Sequence, residues 1–203
     1  LPFKACHIGT DAACRLAGFA RDEGLSSSFV LSDDNTFCAG GEDVCRALQD
    51  ASLAVTSHSL GDGPIDATDT LGDRLATEAQ GTAAIVAVGS GTVCDVAKHA
   101  GNKLGVPVIL YPTAASMNGY TSGITALKVR GLKRTLPCTP ALAVFANPEH
   151  VATAPVRMTA AGVADFLSKC SSTTDWRASN LLLDAPCDPK AREFFEGIQE
   201  RLL

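Results

Sequence analysis

The sequence predicts an α/β fold, a parallel sheet with crossover helices, followed by an all-helical part. Three observations lead there. Short apolar runs alternate with segments of helical spacing, the pattern of strand–helix–strand units. One such run, residues 83–88, ends in Gly89-Ser-Gly91 and passes directly into a helix over 92–104. From Pro155 onward the spacing is helical and no strand is evident.

Taken in order, Phe29-Val-Leu-Ser32 reads as a strand closed by Asp33-Asp-Asn-Thr36. Residues 42–51 carry Val44, Cys45, Leu48 and Ala51 on one helical face. Residues 52–57 read as a strand and Gly61-Asp-Gly-Pro64 as a loop. A helix follows over 66–79, with Leu71, Leu75 and Ala76 on one side. Strand 83–88, helix 92–104 and strand 106–111 complete one crossover unit. Residues 124–129 and 134–138 flank Arg130-Gly-Leu132 as a hairpin, set before a strand at 142–146. Asn147-Pro148 starts a short helix and Pro155 a longer one. The expected division is an α/β domain over 1–154 and the start of a helical domain over 155–203. That second stretch is small for an independent domain. It is expected to be incomplete, and a chain opening on Leu1 is expected to start upstream.

Composition narrows the partners. With 46% hydrophobic and 19% charged residues the chain is globular. A net charge of −5 argues against nucleic acid. The one basic group, Lys128, Arg130, Lys133 and Arg134, reads as a solvated hairpin. No apolar run is long enough for a membrane span, and the first residues have no signal-peptide core. Eight cysteines contain no C-x-x-C pair, so reduced thiols in a cytoplasmic protein are expected. An incomplete helical domain also leaves apolar surface through which a homo-oligomer can form.

The chemistry centres on Val88-Gly-Ser-Gly-Thr-Val-Cys-Asp-Val-Ala-Lys98. Small residues let backbone N–H groups approach a ligand, and the following helix aims its positive end at the same place, which makes a phosphate cradle. Cys94 stands where a regular G-x-G-x-x-G fingerprint needs glycine, so a turn that binds nothing is the rival reading. Thr92 and Asp95 have capping-box spacing, which fixes the helix start. Asp33 after its strand suits ribose hydroxyls, although by itself a turn cap is the stronger reading. Thr113, Ser116, Asn118, Thr121 and Ser122 form a polar loop, and Met117 and Tyr120 among them suggest partial burial. Asp165 interrupts an apolar helix. A carboxylate there must be paired, hydrogen-bonded or bound to a metal, and spacing alone divides it evenly between such a role and an ordinary ion pair with Lys169. Among the histidines, His99 lies four residues after Asp95 and reads as a surface residue; none of His7, His58 and His150 is read as a metal ligand.

Together these blocks resemble the sn-glycerol-1-phosphate dehydrogenase branch of the superfamily of iron-dependent alcohol dehydrogenase, glycerol dehydrogenase and dehydroquinate synthase. The matching blocks are Val88–Lys98, Pro112-Thr-Ala-Ala-Ser-Met-Asn-Gly-Tyr-Thr-Ser122, Ala154-Pro155, Ala160-Ala-Gly-Val-Ala-Asp-Phe-Leu-Ser-Lys169 and Asp175-Trp176. The resemblance runs from about Phe29 onward and implies a Rossmann-like nucleotide-binding domain. It implies that Gly89, Ser90, Gly91, Thr92, Val93, Cys94 and Asp95 hold the pyrophosphate of NAD(P). Thr113, Ala114, Ala115, Ser116 and Ser122 would contact the rest of the cofactor, and Asp33 its adenosine ribose. Asn118 and Asp165 would meet a phosphorylated polyol. Asp165 would also bind a divalent metal, zinc in this branch, with Fe2+ or Ni2+ as alternatives.

Two departures stand out. Asn118 occupies a position where the family has Asp, and no histidine follows Asp165 although the family takes two metal ligands from there. The metal site is therefore not expected to be completed by this chain. A non-catalytic NAD-binding module and a dehydroquinate synthase-like lyase are the alternatives to a dehydrogenase.

Overall fold

The computed structural model describes residues 3–202, with side chains as far as Ile198. Its first half runs β1 (Ala5–Ile8), α1 (Ala12–Asp22), β2 (Ser27–Ser32), a short α2 (Asp34–Thr36), a π-helical turn Phe37–Gly41, α3 (Glu42–Asp50), β3 (Ala54–Ser59) and α4 (Asp69–Glu78). Then come β4 (Ala84–Gly89), α5 (Gly91–Leu104), β5 (Val108–Pro112), a hairpin of β6 (Ile124–Val129) and β7 (Leu132–Pro137), and β8 (Ala143–Ala146). Three helices close the chain: α6 (Pro148–Ala152), α7 (Val156–Leu183) and α8 (Pro189–Leu202).

Six strands form one parallel sheet in the order β1-β8-β5-β4-β2-β3. The central strands are apolar on both faces because helices cover both. Phe29, Leu31, Ile85, Ala87, Val108 and Leu110 pack with α4 and α5. Val30, Val86, Val88, Ile109 and Tyr111 pack with α1 and α3 on the other side. Each large aliphatic side chain buried there contributes about 1.5–3 kcal/mol.

This arrangement places the site. The chain leaves β2 toward the α3 face and leaves the adjacent β4 toward the α5 face. Their carboxyl ends therefore open a crevice at a switch point, where ligands of open α/β sheets bind. Gly89 pairs with Pro112 in register, so the loops after β4 and β5 leave the sheet side by side.

The α/β expectation holds, with local corrections. The strand β1 and helix α1 were not expected from the sequence. Helix α5 starts at Gly91, with Ser90 as its N-cap, and the Thr92–Asp95 capping box is not made. Asp95 instead serves the hairpin: its Oδ2 accepts the Ala126 N–H at 3.3 Å and its carbonyl accepts the Thr125 hydroxyl at 2.9 Å. A distant partner outcompeted the local one. Helix α4 starts at Asp69 rather than 66 because Thr68 caps it, accepting the Leu71 N–H at 3.0 Å. The hairpin turns at Arg130 and Gly131, both at positive φ (51° and 80°), the pair that matches strand twist in a two-residue turn. None of α7 is fully buried, and Val156, Val163, Leu181, Leu182 and Leu183 are exposed. Among the described residues no helix is long and apolar enough to cross a membrane.

Candidate nucleotide and substrate site

The turn after β4 is built by packing constraints. A Cβ on Gly89 would stand 2.7 Å from Cβ of Val93, so only glycine lets the strand end fold down onto the first turn of α5. A Cβ on Gly91 would meet only Met117 Sδ at 3.7 Å, so that side is open. Ser90, the N-cap residue, is extended and its side chain makes no capping bond; its hydroxyl reaches the Ser116 hydroxyl instead. The N–H of Cys94 closes the first helical bond onto the Ser90 carbonyl at 2.9 Å. Among the described residues no side chain caps the preceding donors, which leaves the positive end of α5 open to an anion.

Two cavities meet at this turn. The larger, about 940 Å³, is lined by Asp33, Thr36, Ser90, Thr113, Ala114 and Ser116. The smaller, about 560 Å³, is lined by Asp95, Asn118, Ser122, Lys128, Lys133 and Asp165. Gly91 and Thr92 line both.

Helix α7 forms the far wall. A Cβ on Gly162 would lie 1.8 Å from the Ala115 carbonyl oxygen, so glycine alone permits this approach of helix to loop. Three residues on, Asp165 is half-buried, and its Oδ2 accepts the Asn118 backbone N–H at 2.8 Å. Of the two readings of Asp165, the ordinary ion pair with Lys169 is not made among the described residues; the carboxylate is hydrogen-bonded to the loop instead. With the Asn118 carboxamide nitrogen turned to Asp165 Oδ2 (3.1 Å), its oxygen accepts from Lys169 Nζ at 3.3 Å. That orientation satisfies both ends of the amide.

The remaining expected residues divide into those that face space and those that support it. Asp33 caps α2, its Oδ1 accepting the Thr36 N–H at 2.7 Å, and no protein group among the described residues bonds its Oδ2. Thr113 is buried at the end of β5 but still lines the larger cavity. The Ala114 carbonyl accepts the Tyr120 hydroxyl at 2.5 Å, and the Ser122 hydroxyl donates to the Gly119 carbonyl at 2.8 Å. Both bonds curl the polar loop. Cys94 lies beneath the turn with its Sγ 3.8 Å from the Gly89 carbonyl, and burial pushes its thiol up to about 12. Val93 is also buried, although an edge of it lines the larger cavity.

Sequence reasoning missed three cations. Lys98 is 1% exposed and donates to the Ile124 carbonyl at 2.7 Å, with Asp95 Oδ1 at 3.5 Å, tying α5 to the root of the hairpin. Lys128, which pairs with Asp66 at 2.6 Å, and Lys133 are exposed as expected of a solvated hairpin, and both also line the smaller cavity. A run of basic residues on a hairpin gave no local sign of which ones border a cavity. His99 pairs with Asp73 at 3.0 Å and not with Asp95. No group of three or more His, Cys, Asp or Glu side chains gathers as a metal site among the described residues.

A family profile described as iron-containing alcohol dehydrogenase matches residues 7–155. The chain belongs to this family. Within the iron-containing alcohol dehydrogenase family, it is 29% identical over 97% of its length to "Glycerol-1-phosphate dehydrogenase [NAD(P)+]" of Geobacillus stearothermophilus, covering 50% of that protein. It is 31% identical over its whole length to the protein of the same name from Bacillus subtilis (strain 168), covering 52% of it. The chain thus spans about half the length of these curated relatives. Among solved structures, a probable glycerol dehydrogenase from Sinorhizobium meliloti 1021 superposes with a TM-score of 0.80 at 23% identity, over 98% of this chain and 55% of that one. The glycerol dehydrogenase of Schizosaccharomyces pombe gives 0.77 at 24%, over 88% and 45%. These likenesses establish the fold.

Proposed function

We propose that this chain supplies the NAD(P)-binding part of a dehydrogenase that interconverts glycerol 1-phosphate, or a similar polyol phosphate, and dihydroxyacetone phosphate. One observation carries the reading: an uncapped helix N-terminus opens where two cavities meet, at Gly91 and Thr92. A dinucleotide has an anionic middle and two nucleoside ends, and this site offers a place for each. The curated relatives named for NAD(P)+ support the same assignment.

In this reading the backbone of Gly89, Ser90, Gly91 and Thr92 takes the pyrophosphate, and Val93 and Cys94 hold that turn from beneath. Asp33 takes ribose hydroxyls through its unbonded Oδ2, and its charge disfavours a 2′-phosphate. Thr113, Ala114, Ser116 and Ser122 line the cleft, Ala115 seats α7 through its carbonyl against Gly162, and Asp95 fixes the hairpin wall. When bound, the nicotinamide supplies the redox chemistry. Asn118 and Asp165 then face the substrate in the smaller cavity, where the Lys128 and Lys133 ammonium groups suit a phosphate. Asn118 can orient a substrate hydroxyl but holds no proton to exchange near neutral pH.

Asp165 is the metal ligand this chain would contribute, to zinc by resemblance and to iron or nickel as alternatives. The described residues do not make a shell by themselves, since no second and third ligand gather beside it. The remaining ligands would have to come from outside the described residues; a module that binds NAD without turnover is the second reading. The unpaired state of all eight cysteines suits a reducing, cytoplasmic setting.

Calorimetric titration with NADH, with and without zinc, followed by an NADH-oxidation assay with dihydroxyacetone phosphate, separates the readings. Saturable NADH binding supports the cofactor assignment, and turnover added to it supports the dehydrogenase. Binding without turnover or zinc uptake supports the module. No NADH binding overturns both.

A further inference from the structure

Arg157 stands in the first turn of α7 and lines the larger cavity together with Ser90, Gly91 and Thr113. It is exposed, and it makes no ion pair or side-chain hydrogen bond among the described residues. Among the described residues it is the one cationic side chain lining that cavity, and Asp33 is the one acidic one.

The helix fixes where this charge lies. Arg157, Ala161 and Asp165 follow one another at four-residue spacing, so they share a face of α7. Ala161 lines the same cavity as Arg157, and the neighbouring Gly162 presses against the Ala115 carbonyl. That face therefore looks into the cleft. Eight residues of helix separate Arg157 from Asp165 by about 12 Å. Asp165 lines the smaller cavity and Arg157 the larger, with Gly91 and Thr92 lining both. Helix α7 thus runs along the cleft and brings one charged group to each cavity.

We propose that Arg157 binds the cofactor pyrophosphate from the side opposite the α5 N-terminus, clamping it between the Gly89–Gly91 turn and α7. The proposal rests on the dinucleotide reading given above. A guanidinium suits the task because its planar fork takes two phosphate oxygens at once. With the clamp made, the cofactor itself links the α/β part to α7, the helix that carries Asp165.

The test compares the intact chain with Arg157→Gln and Arg157→Lys, using NADH and NADPH as probes at several salt concentrations. Arg157→Gln is expected to weaken NADH and NADPH alike, by about 10- to 100-fold, the range of a lost charged hydrogen bond. Its binding should also depend less steeply on salt. Arg157→Lys should recover part of the affinity, and the melting temperature should stay unchanged because the side chain is exposed. Unaltered NADH affinity in Arg157→Gln overturns the proposal while leaving the dinucleotide reading standing. A loss confined to NADPH also overturns it, since Arg157 would then read a 2′-phosphate. Failure of the unsubstituted chain to bind NADH overturns both.

Discussion

Asp165 accepts the backbone N–H of Asn118 at 2.8 Å, joining helix α7 to a loop 47 residues earlier in the chain. The bond is possible because Gly162, one turn before Asp165, has no Cβ to strike the Ala115 carbonyl. A short glycine-to-aspartate interval therefore does two jobs: it brings the helix close, and it places a carboxylate where the polar loop needs an acceptor. The consequence is a cleft whose two walls, loop and helix, are set by one hydrogen bond and one close approach.

Replacing Gly162 with Ala tests that close approach. The atom in the way is backbone, which has little room to give, so α7 has to move off the loop. The expected cost is about 1–3 kcal/mol in urea unfolding, accompanied by weaker NADH binding. A variant as stable as the parent, with the same affinity, contradicts the packing described.

Lys98 gives a second prediction. Its ammonium is buried and satisfies the Ile124 carbonyl beside the Asp95 carboxylate. Lys98→Met keeps the volume of the stem and removes the charge, leaving Asp95 without its cation. Breaking a buried pair in this way costs about 3–5 kcal/mol. Because the Asp95 side chain keeps 16% exposure, the lower end is expected. Denaturant unfolding of the two proteins measures it directly.

Much of this site could be read in the sequence, and the rest could not for identifiable reasons. The β4–α5–β5 unit is plain because its strands are buried on both faces and its turn is all small residues. Strand β1 escaped notice because Ala-Cys-His-Ile alternates in burial at a sheet edge and makes no apolar run. The capping-box spacing of Thr92 and Asp95 misled because the hairpin, thirty-one residues beyond Asp95, offered its carboxylate an N–H. Spacing leaves Asp165 open between an ion pair with Lys169 and a hydrogen-bonded or metal-binding role; its partner is a peptide N–H, which no side-chain pattern announces. Lys98 and Arg157 likewise take their meaning from elements far away in sequence.

Thiol chemistry checks the burial of the turn. Cys94 lies fully buried beneath Gly89, and its thiol is pushed up to about 12, chiefly by burial. Cys6, Cys14 and Cys38 are exposed. Iodoacetamide at pH 8 should therefore label those three in the native protein and reach Cys94 only after denaturation. Mass spectrometry of tryptic peptides reads the outcome; rapid native labelling of Cys94 would show the turn to be open.

Alkaline titration should be cooperative. The chain has two tyrosines, and burial raises both Tyr111 and Tyr120 from 10.0 to about 12. A raised pKa in the fold means that the unfolded chain gives up these protons first. The unfolded chain ionises them near 10, so their effect on stability is absent below pH 10 and becomes a growing loss as pH rises toward 12. Tyrosinate absorbance near 295 nm should therefore appear late and together with loss of the far-ultraviolet circular dichroism of the fold. Simple titration centred on pH 10 with the fold intact would place both rings in water.

The most direct measurement is an NADH titration of the intact chain beside Gly91→Val. Space for a Cβ at this position exists, since the nearest atom is Met117 Sδ at 3.7 Å, so the fold should survive while the new methyl groups fill the cradle. The expected result is one-site NADH binding by the parent chain and at least about a tenfold loss in the variant, some 1.4 kcal/mol, at unchanged melting temperature. Equal NADH affinity in both proteins, or no binding by the parent, would contradict the assignment of the Gly89–Gly91 turn as the dinucleotide site.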